Sequence, residues 1–269
     1  MKLAFTTKKW RFCATLIFTF ISYFSISQTI AVIEFMKVPE NGDANYIKME
    51  SEIWKPMHQK LVNDGKLLFW GLYAIPFPGG TNAEYQYATV RLFKDLAQSG
   101  GEWDFEKVFK AVHPKMDINV ATKRTLDSRD LVKANRMSQW GAFFNEGNTF
   151  SNKFMTVVYI NVKEGKNAEY RNIEKTMWEP MHRMEMAKGK REGWQGWALD
   201  MPWGTKNHFN HVAVDFYKDW AQFTKVLPES DYMNAAGGKK FEDIIKATNE
   251  VESVYLTEEW HLIDETKNP

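Results

Sequence analysis

Glu50 and His58, and again Glu174 and His182, stand eight residues apart in segments that otherwise carry the apolar spacing of a helix. At about 100° per residue, with Tyr46 set at 0°, Met57 falls near 20°, Glu50 near 40°, Leu61 near 60°, Trp54 near 80° and His58 near 120°. Glu50 is therefore in the middle of the apolar stripe, and so is Glu174; His58 and His182 are at its border. A carboxyl group placed there must find a partner or take up a proton. It is either a buried hydrogen bond that ties the helix to a sheet, or a general acid or base with a raised pKa. The border histidines read as locally hydrogen-bonded, and Trp54 and Trp178 as core anchors. Pro56 and Pro180 follow each Trp by two residues, which predicts a bend or break near Trp54 and Trp178.

A second set comes from two alternating runs. In 85–93, Ala88, Val90 and Leu92 alternate with Tyr87, Thr89, Arg91 and Phe93; in 209–217, Val212, Val214 and Phe216 alternate with His211, Ala213, Asp215 and Tyr217. Alternation sends the two sets to opposite faces of a strand. The aliphatic set is expected under the helices, and the mixed set, with Tyr85, Tyr87, Arg91, His211, Asp215 and Tyr217, on the other face, lining an interior. Tyr73 and Trp197 would add aromatic wall from the preceding strand. Such a cavity suits a small molecule, with His211 or Asp215 as base and Arg91 steadying a developing anion. The alternative is that Arg91 pairs with Asp215 and the interior is filled. His208 and His211 would point to opposite faces, so no shared metal is expected. No His-Glu-x-x-His, phosphate-binding Gly loop or G-x-S-x-G elbow occurs, and no motif calls for a cofactor.

The elements that position these residues occur twice. With 44–98 laid over 168–222 without a gap, 18 of the 53 positions from Tyr46 to Gln98 are identical, where chance gives about three. Each copy reads strand, helix, strand, strand, helix, strand. The strands are expected at 30–38, 68–75, 85–93 and 131–140, then at 154–162, 194–199, 209–217 and 254–262. The helices are expected at 46–63 and 105–112, then at 170–187 and 241–247. Gly65 and Gly189 are left-handed helix stops. The basic stretch 113–129 reads as a solvated excursion, and 141–153 as the linker.

The first 27 residues read as a signal peptide: Lys2, Lys8, Lys9 and Arg11, then an apolar run over 12–24, then Ser25-Ile26-Ser27. Cleavage after Ser27 makes the domains 1–27, 28–145 and 146–269, and predicts a periplasmic or secreted protein with no stable membrane insertion. It also removes Cys13, the one cysteine, and leaves 31 basic against 34 acidic residues. A faintly acidic chain is not expected to bind nucleic acid. Aromatics at 15% favour bulky packing and aromatic-lined cavities.

The element order is the ferredoxin-like split βαββαβ motif. One such module leaves a sheet face bare, and two can cover each other. The duplicated chain therefore resembles the dimeric α/β-barrel superfamily: an α+β fold of two modules packed sheet to sheet, with the barrel closed within one chain. That superfamily includes cofactor-free monooxygenases, muconolactone-isomerase-like and EthD-like proteins, and haem-dependent chlorite dismutases. Three functions follow as expectations: an exported small-molecule-binding barrel, a cofactor-free monooxygenase- or isomerase-like enzyme acting on a small aromatic or acidic substrate, and a haem-binding barrel, for which the sequence has no axial-ligand motif.

Overall fold

The computed structural model describes residues 28–80, 82–145, 153–204 and 207–267. The segment 1–27, with Cys13, lies outside those residues, as does the middle of the expected linker. Among the described residues no helix is long and apolar enough to cross a membrane.

The first half runs β1 (Ile30–Lys37), α1 (Asp43–Met49), a π-helical turn (Glu50–Trp54), α2 (Lys55–Asn63), β2 (Phe69–Phe77), β3 (Tyr87–Phe93), α3 (Leu96–Ser99), α4 (Phe105–Val112), α5 (Ile118–Ser128) and β4 (Asp130–Phe144). The second half runs β5 (Phe154–Val162), α6 (Asn167–Ile173), a π-helical turn (Glu174–Trp178), α7 (Glu179–Ala187), β6 (Gly193–Met201), β7 (His211–Tyr217), α8 (Trp220–Phe223), α9 (Glu229–Ala235), α10 (Phe241–Val251) and β8 (Glu252–Glu265). Within the halves the strand orders are β4-β1-β3-β2 and β8-β5-β7-β6. The long outer strands cross over: β4 pairs with β6 and β8 with β2, which closes an eight-stranded antiparallel barrel. Closure leaves no strand edge unpaired, and it is supplied by one chain.

The expected break at the prolines is a single π turn inside a continuous helix. Lys55 N–H bonds the Glu50 carbonyl, and Glu179 N–H bonds the Glu174 carbonyl. Pro56 and Pro180 lack an N–H and crowd the preceding turn, and one widened turn accommodates both defects. Gly65 and Gly189 end these helices at φ 66° and 67°, the left-handed region in which a side chain is strained.

The stretch 113–129 differs from the expectation. Most of it is α5, started by Asp117, whose side chain accepts from Asn119 N–H at 2.7 Å. Trp54 Nε1 donates to Thr125 of α5 at 3.2 Å, and Trp178 Nε1 to Thr248 of α10 at 3.0 Å. α5 is therefore the counterpart of α10, and the repeat offset slips from 124 to 123 before the last strands. Register agrees: Ile33 pairs with Asn135 where Val157 pairs with Glu258. Arg129 and Glu252, each directly after its helix, become equivalent positions.

The strand faces are the reverse of those expected. Ala88, Val90 and Leu92 of β3 and Val212, Val214 and Phe216 of β7 point into the barrel, among Phe35, Tyr73, Trp197 and Trp260. Tyr87 lies instead among the helix residues of the first half, and His211 packs on Tyr170 of α6. Closing a barrel shields its interior from water, so a charge there needs a full set of buried donors, which Glu258 has and the β3 and β7 charges would lack. The helix–sheet seams stay open at their rims and carry polar groups of their own. The interior is filled apart from about 50 Å³, too little for a ligand of the usual 300–1,000 Å³ pocket size.

Candidate functional site in the second helix–sheet seam

Each half buries one carboxyl group at its π turn, and the two have different surroundings. Glu50 is 2% exposed, with Arg129 Nε 3.5 Å from its Oε1. Burial pushes its carboxyl up to about 7, and the Arg129 charge partly offsets that. Glu174 faces Glu252 where Glu50 faces Arg129. Burial raises the Glu174 carboxyl well above the carboxylate range, and the charges of Glu252 and Asp215 add to it. Burial also pushes Glu252 up to about 7. The charge of Glu252 disfavours ionisation of Glu174, so the protonated form of Glu174 is favoured.

Glu174 forms the floor of a cleft of about 350 Å³ between the α6–α7 helix and strands β4 and β6. Its walls are aromatic. Trp140 meets Trp194 edge-on at 5.2 Å, and Phe143 stacks on Trp194 at 5.4 Å. At the mouth, the Arg171 guanidinium lies 5.6 Å over Trp140 and that of Arg183 4.5 Å over Phe143. His182 lies along Trp194, with its Nδ1 3.5 Å from Glu185; burial lowers its pKa and keeps it neutral.

The first half closes the equivalent place. Lys55 Nζ reaches Asp264 at 2.5 Å, and Gln59 donates to the Lys267 carbonyl at 2.8 Å. The register of β2 with β8 and of β6 with β4 puts Gly141 where Asp264 stands. Glu179 replaces Lys55, so the bridge has lost both ends. A Cβ on Gly141 would lie 3.0 Å from the Trp194 ring.

The remaining expected site residues are dispersed. Arg91 and Asp215 do not pair: Arg91 bonds Glu34 at 2.6 Å, and Asp215 bonds Arg191, which also holds Glu185 at 2.8 Å. Tyr217 lies beside this network with the Arg191 guanidinium over its ring at 5.7 Å. Tyr73 and Trp197 do face the barrel interior, but there they are core. Tyr85 also points inward, giving its hydroxyl to Glu258 at 2.5 Å. Tyr87 donates to Asp43 at 2.7 Å. His58 lies flat on Trp70 with ring centroids 5.3 Å apart and its Nδ1 2.9 Å from the Trp54 carbonyl; burial pushes it down to about 3. Of the expected residues, Glu174 and His182 share the cleft.

Arg171, Glu252, Trp140 and Gly141 were missed. One signal was available. Arg171, Lys175, Glu179 and Arg183 form an i+4 row lining the cleft, against Ile47, Ser51, Lys55 and Gln59 in the first copy. A charged row diverging within a matched helix marks a changed surface.

Neither a protein-family model nor a curated protein matches the sequence. Solved structures match its fold. A proposed monooxygenase from Lactobacillus acidophilus aligns over 90% of this chain and 97% of its own at TM-score 0.53 and 13% identity. A proposed monooxygenase from Fusobacterium nucleatum aligns over 90% and 95% at 0.52 and 14%. A haem-binding protein from Thermus thermophilus aligns over 88% and 92% at 0.50 and 7%. The chain has the fold of the dimeric α/β-barrel superfamily, with both barrel-forming halves in one polypeptide. At these identities the likeness concerns fold alone.

Proposed function

We propose that this is an exported protein that binds a small, flat aromatic anion in the second helix–sheet cleft. The observation that carries the reading is the cleft opened by Gly141: aromatic walls, the Arg171 guanidinium at the mouth and, on the floor, a carboxyl group whose burial favours its neutral form. An aromatic ring lies against the wall made by Trp140, Phe143 and Trp194, and an anionic group meets Arg171; Arg183 is held by Glu179 at 2.7 Å. A neutral Glu174 accepts the anion as a neighbour, whereas an ionised one would repel it. Export rests on the charge and hydropathy of 1–27; N-terminal sequencing of the exported form should read Gln28 first, and retention of Met1 would contradict it.

The test of binding is quenching of tryptophan fluorescence by 1-naphthoate. Wild type should bind, and Arg171→Ala should bind at least tenfold more weakly. Affinity should fall as pH rises through the Glu174 pKa, because the ionised form is the repulsive one, while Glu174→Gln should show no such fall. Equal binding by Arg171→Ala would remove the reading.

The carboxyl pair favours a second reading, a cofactor-free monooxygenase- or isomerase-like enzyme. Asp215 and Arg91 are held in ion pairs, so the base falls to the Glu174–Glu252 pair and anion stabilisation to Arg171. Glu174, the member that lines the cleft, takes a proton from an acidic C–H or phenol when it is ionised, and the resulting charge spreads into the ring beside the guanidinium. The sequence carries no axial-ligand motif for haem, and the barrel interior, at about 50 Å³, has no room for it.

A further inference from the structure

His211 occupies the position of Tyr87 in the first half, and Asn167 that of Asp43. In the first half the Tyr87 hydroxyl donates to Asp43 at 2.7 Å and fills the space between β3 and the start of α1. An imidazole is shorter than a phenol and does not make that bond. A cleft of about 560 Å³ lies there instead, lined by Asn167, Arg171, Trp203, Asn210 and His211. It is on the β7 side of Arg171, whereas the Glu174 cleft is on the β4 side.

The hydrogen-bond network fixes the tautomer of His211. Val162 N–H donates to Asn210 Oδ1 at 2.8 Å, and Asn210 Nδ2 donates to the Val162 carbonyl at 2.8 Å, so the amide cannot be turned over. Oδ1 is an acceptor and stands 3.0 Å from His211 Nδ1. Nδ1 must carry the hydrogen, which leaves Nε2 with a lone pair. His211 is 4% exposed, and Nε2 finds no hydrogen-bond partner among the described residues. Burial and the Arg171 charge push the imidazole down to about 4, so it is neutral at physiological pH.

We propose that this cleft is a second binding site, for a small hydroxy acid whose hydroxyl takes the place of the Tyr87 phenol and whose carboxylate meets Arg171. Nε2 is shut off from water in the free protein; as the ligand enters, the ring edge opens to the hydroxyl, which donates to Nε2 and accepts from the Asn167 amide. An unpartnered buried acceptor is costly, and a donor on the ligand relieves that cost. The same carboxylate without a hydroxyl leaves Nε2 unpaired. Trp203, 87% exposed at the mouth, is placed to cover the ligand. This inference shares Arg171 with the Glu174 cleft and is told apart from it by His211 and Asn167, which do not line that cleft.

The test is a calorimetric titration with 3-hydroxybenzoate and benzoate, read with the imidazole ¹⁵N spectrum of His211. Free protein should show the Nδ1–H tautomer. Addition of 3-hydroxybenzoate should shift the Nε2 resonance, while benzoate leaves it in place, with at least tenfold preference for the hydroxylated acid. His211→Tyr installs the first-half residue and refills the cleft; it should abolish the preference and leave 1-naphthoate binding intact. An Nε2–H tautomer, equal affinities in wild type, or a preference surviving in His211→Tyr would overturn the proposal.

Discussion

Arg191→Leu should lower the unfolding free energy by about 3–5 kcal/mol, the usual cost of removing one partner of a buried ionic group. Arg191 is 6% exposed and holds both Glu185 and Asp215; Glu185 also accepts from Tyr232 at 2.9 Å. The variant leaves the buried Glu185 and the half-buried Asp215 carboxylates without their cation. In a chain of this size the loss corresponds to a fall in melting temperature of roughly 10 °C. The first half shows the apolar solution at the same places, with Leu61 for Glu185 and Leu67 for Arg191. Glu185→Leu and Asp215→Asn added to Arg191→Leu should therefore restore stability to within about 2 kcal/mol of wild type. Urea denaturation of the two variants checks this. A loss under about 1 kcal/mol in Arg191→Leu would mean that water already reaches the network.

Glu258→Ala should cost about 4 kcal/mol or more. Glu258 is 1% exposed inside the barrel and accepts from Tyr85 at 2.5 Å, from Tyr159 at 2.8 Å and from Trp260 Nε1 at 2.8 Å. Alanine removes the acceptor for three buried donors at once, each worth about 1–3 kcal/mol when left unpaired. Tyr85 comes from the first half and the other donors from the second, so the bond set also fastens the halves together. Glu258→Gln keeps an acceptor oxygen and should lose less than half as much. Thermal unfolding decides between the two. Equal losses would show that charge, rather than the number of bonds, is what the site requires.

Much of the fold was legible because duplication doubles every signal. β1, α4 and β5 fall within a residue of their expected bounds, and the closed barrel follows from a strand-and-helix order written twice. The strand faces were not legible. Alternation separates Ala88, Val90 and Leu92 from Tyr87 and Arg91, but it does not say which set turns inward. That depends on whether the barrel interior or the helix seam can satisfy a charge, which is a property of the closed assembly. The stretch holding α5 reads as a solvated excursion because its buried positions are the small residues Ala121, Thr125 and Ser128, which carry little apolar signal.

The same limits govern the site. Glu174 stood out as a carboxyl group on an apolar stripe, and the helix places it there. Its partner Glu252 lies 78 residues later and was hidden by the slip from 124 to 123. Gly141 looked like linker because a missing side chain carries no signal until the other copy's Asp264 is seen in its place. Residues matched between the copies hold the helices and caps: Gln98 and Gln222 accept from Lys94 N–H and Lys218 N–H while Asp95 and Asp219 accept from theirs. The unmatched residues give the second half its clefts.

The central claim is that the halves have diverged beside the π turn, which the Lys55–Asp264 bridge closes in the first half and Gly141 leaves open in the second. Calorimetric titration with 1-naphthoate tests it most directly, through stoichiometry. We expect one molecule bound per chain, lost in Arg171→Ala and unchanged in Lys55→Ala, which alters only the first-half bridge. Two molecules per chain, or one that survives Arg171→Ala and disappears in Lys55→Ala, would contradict the account.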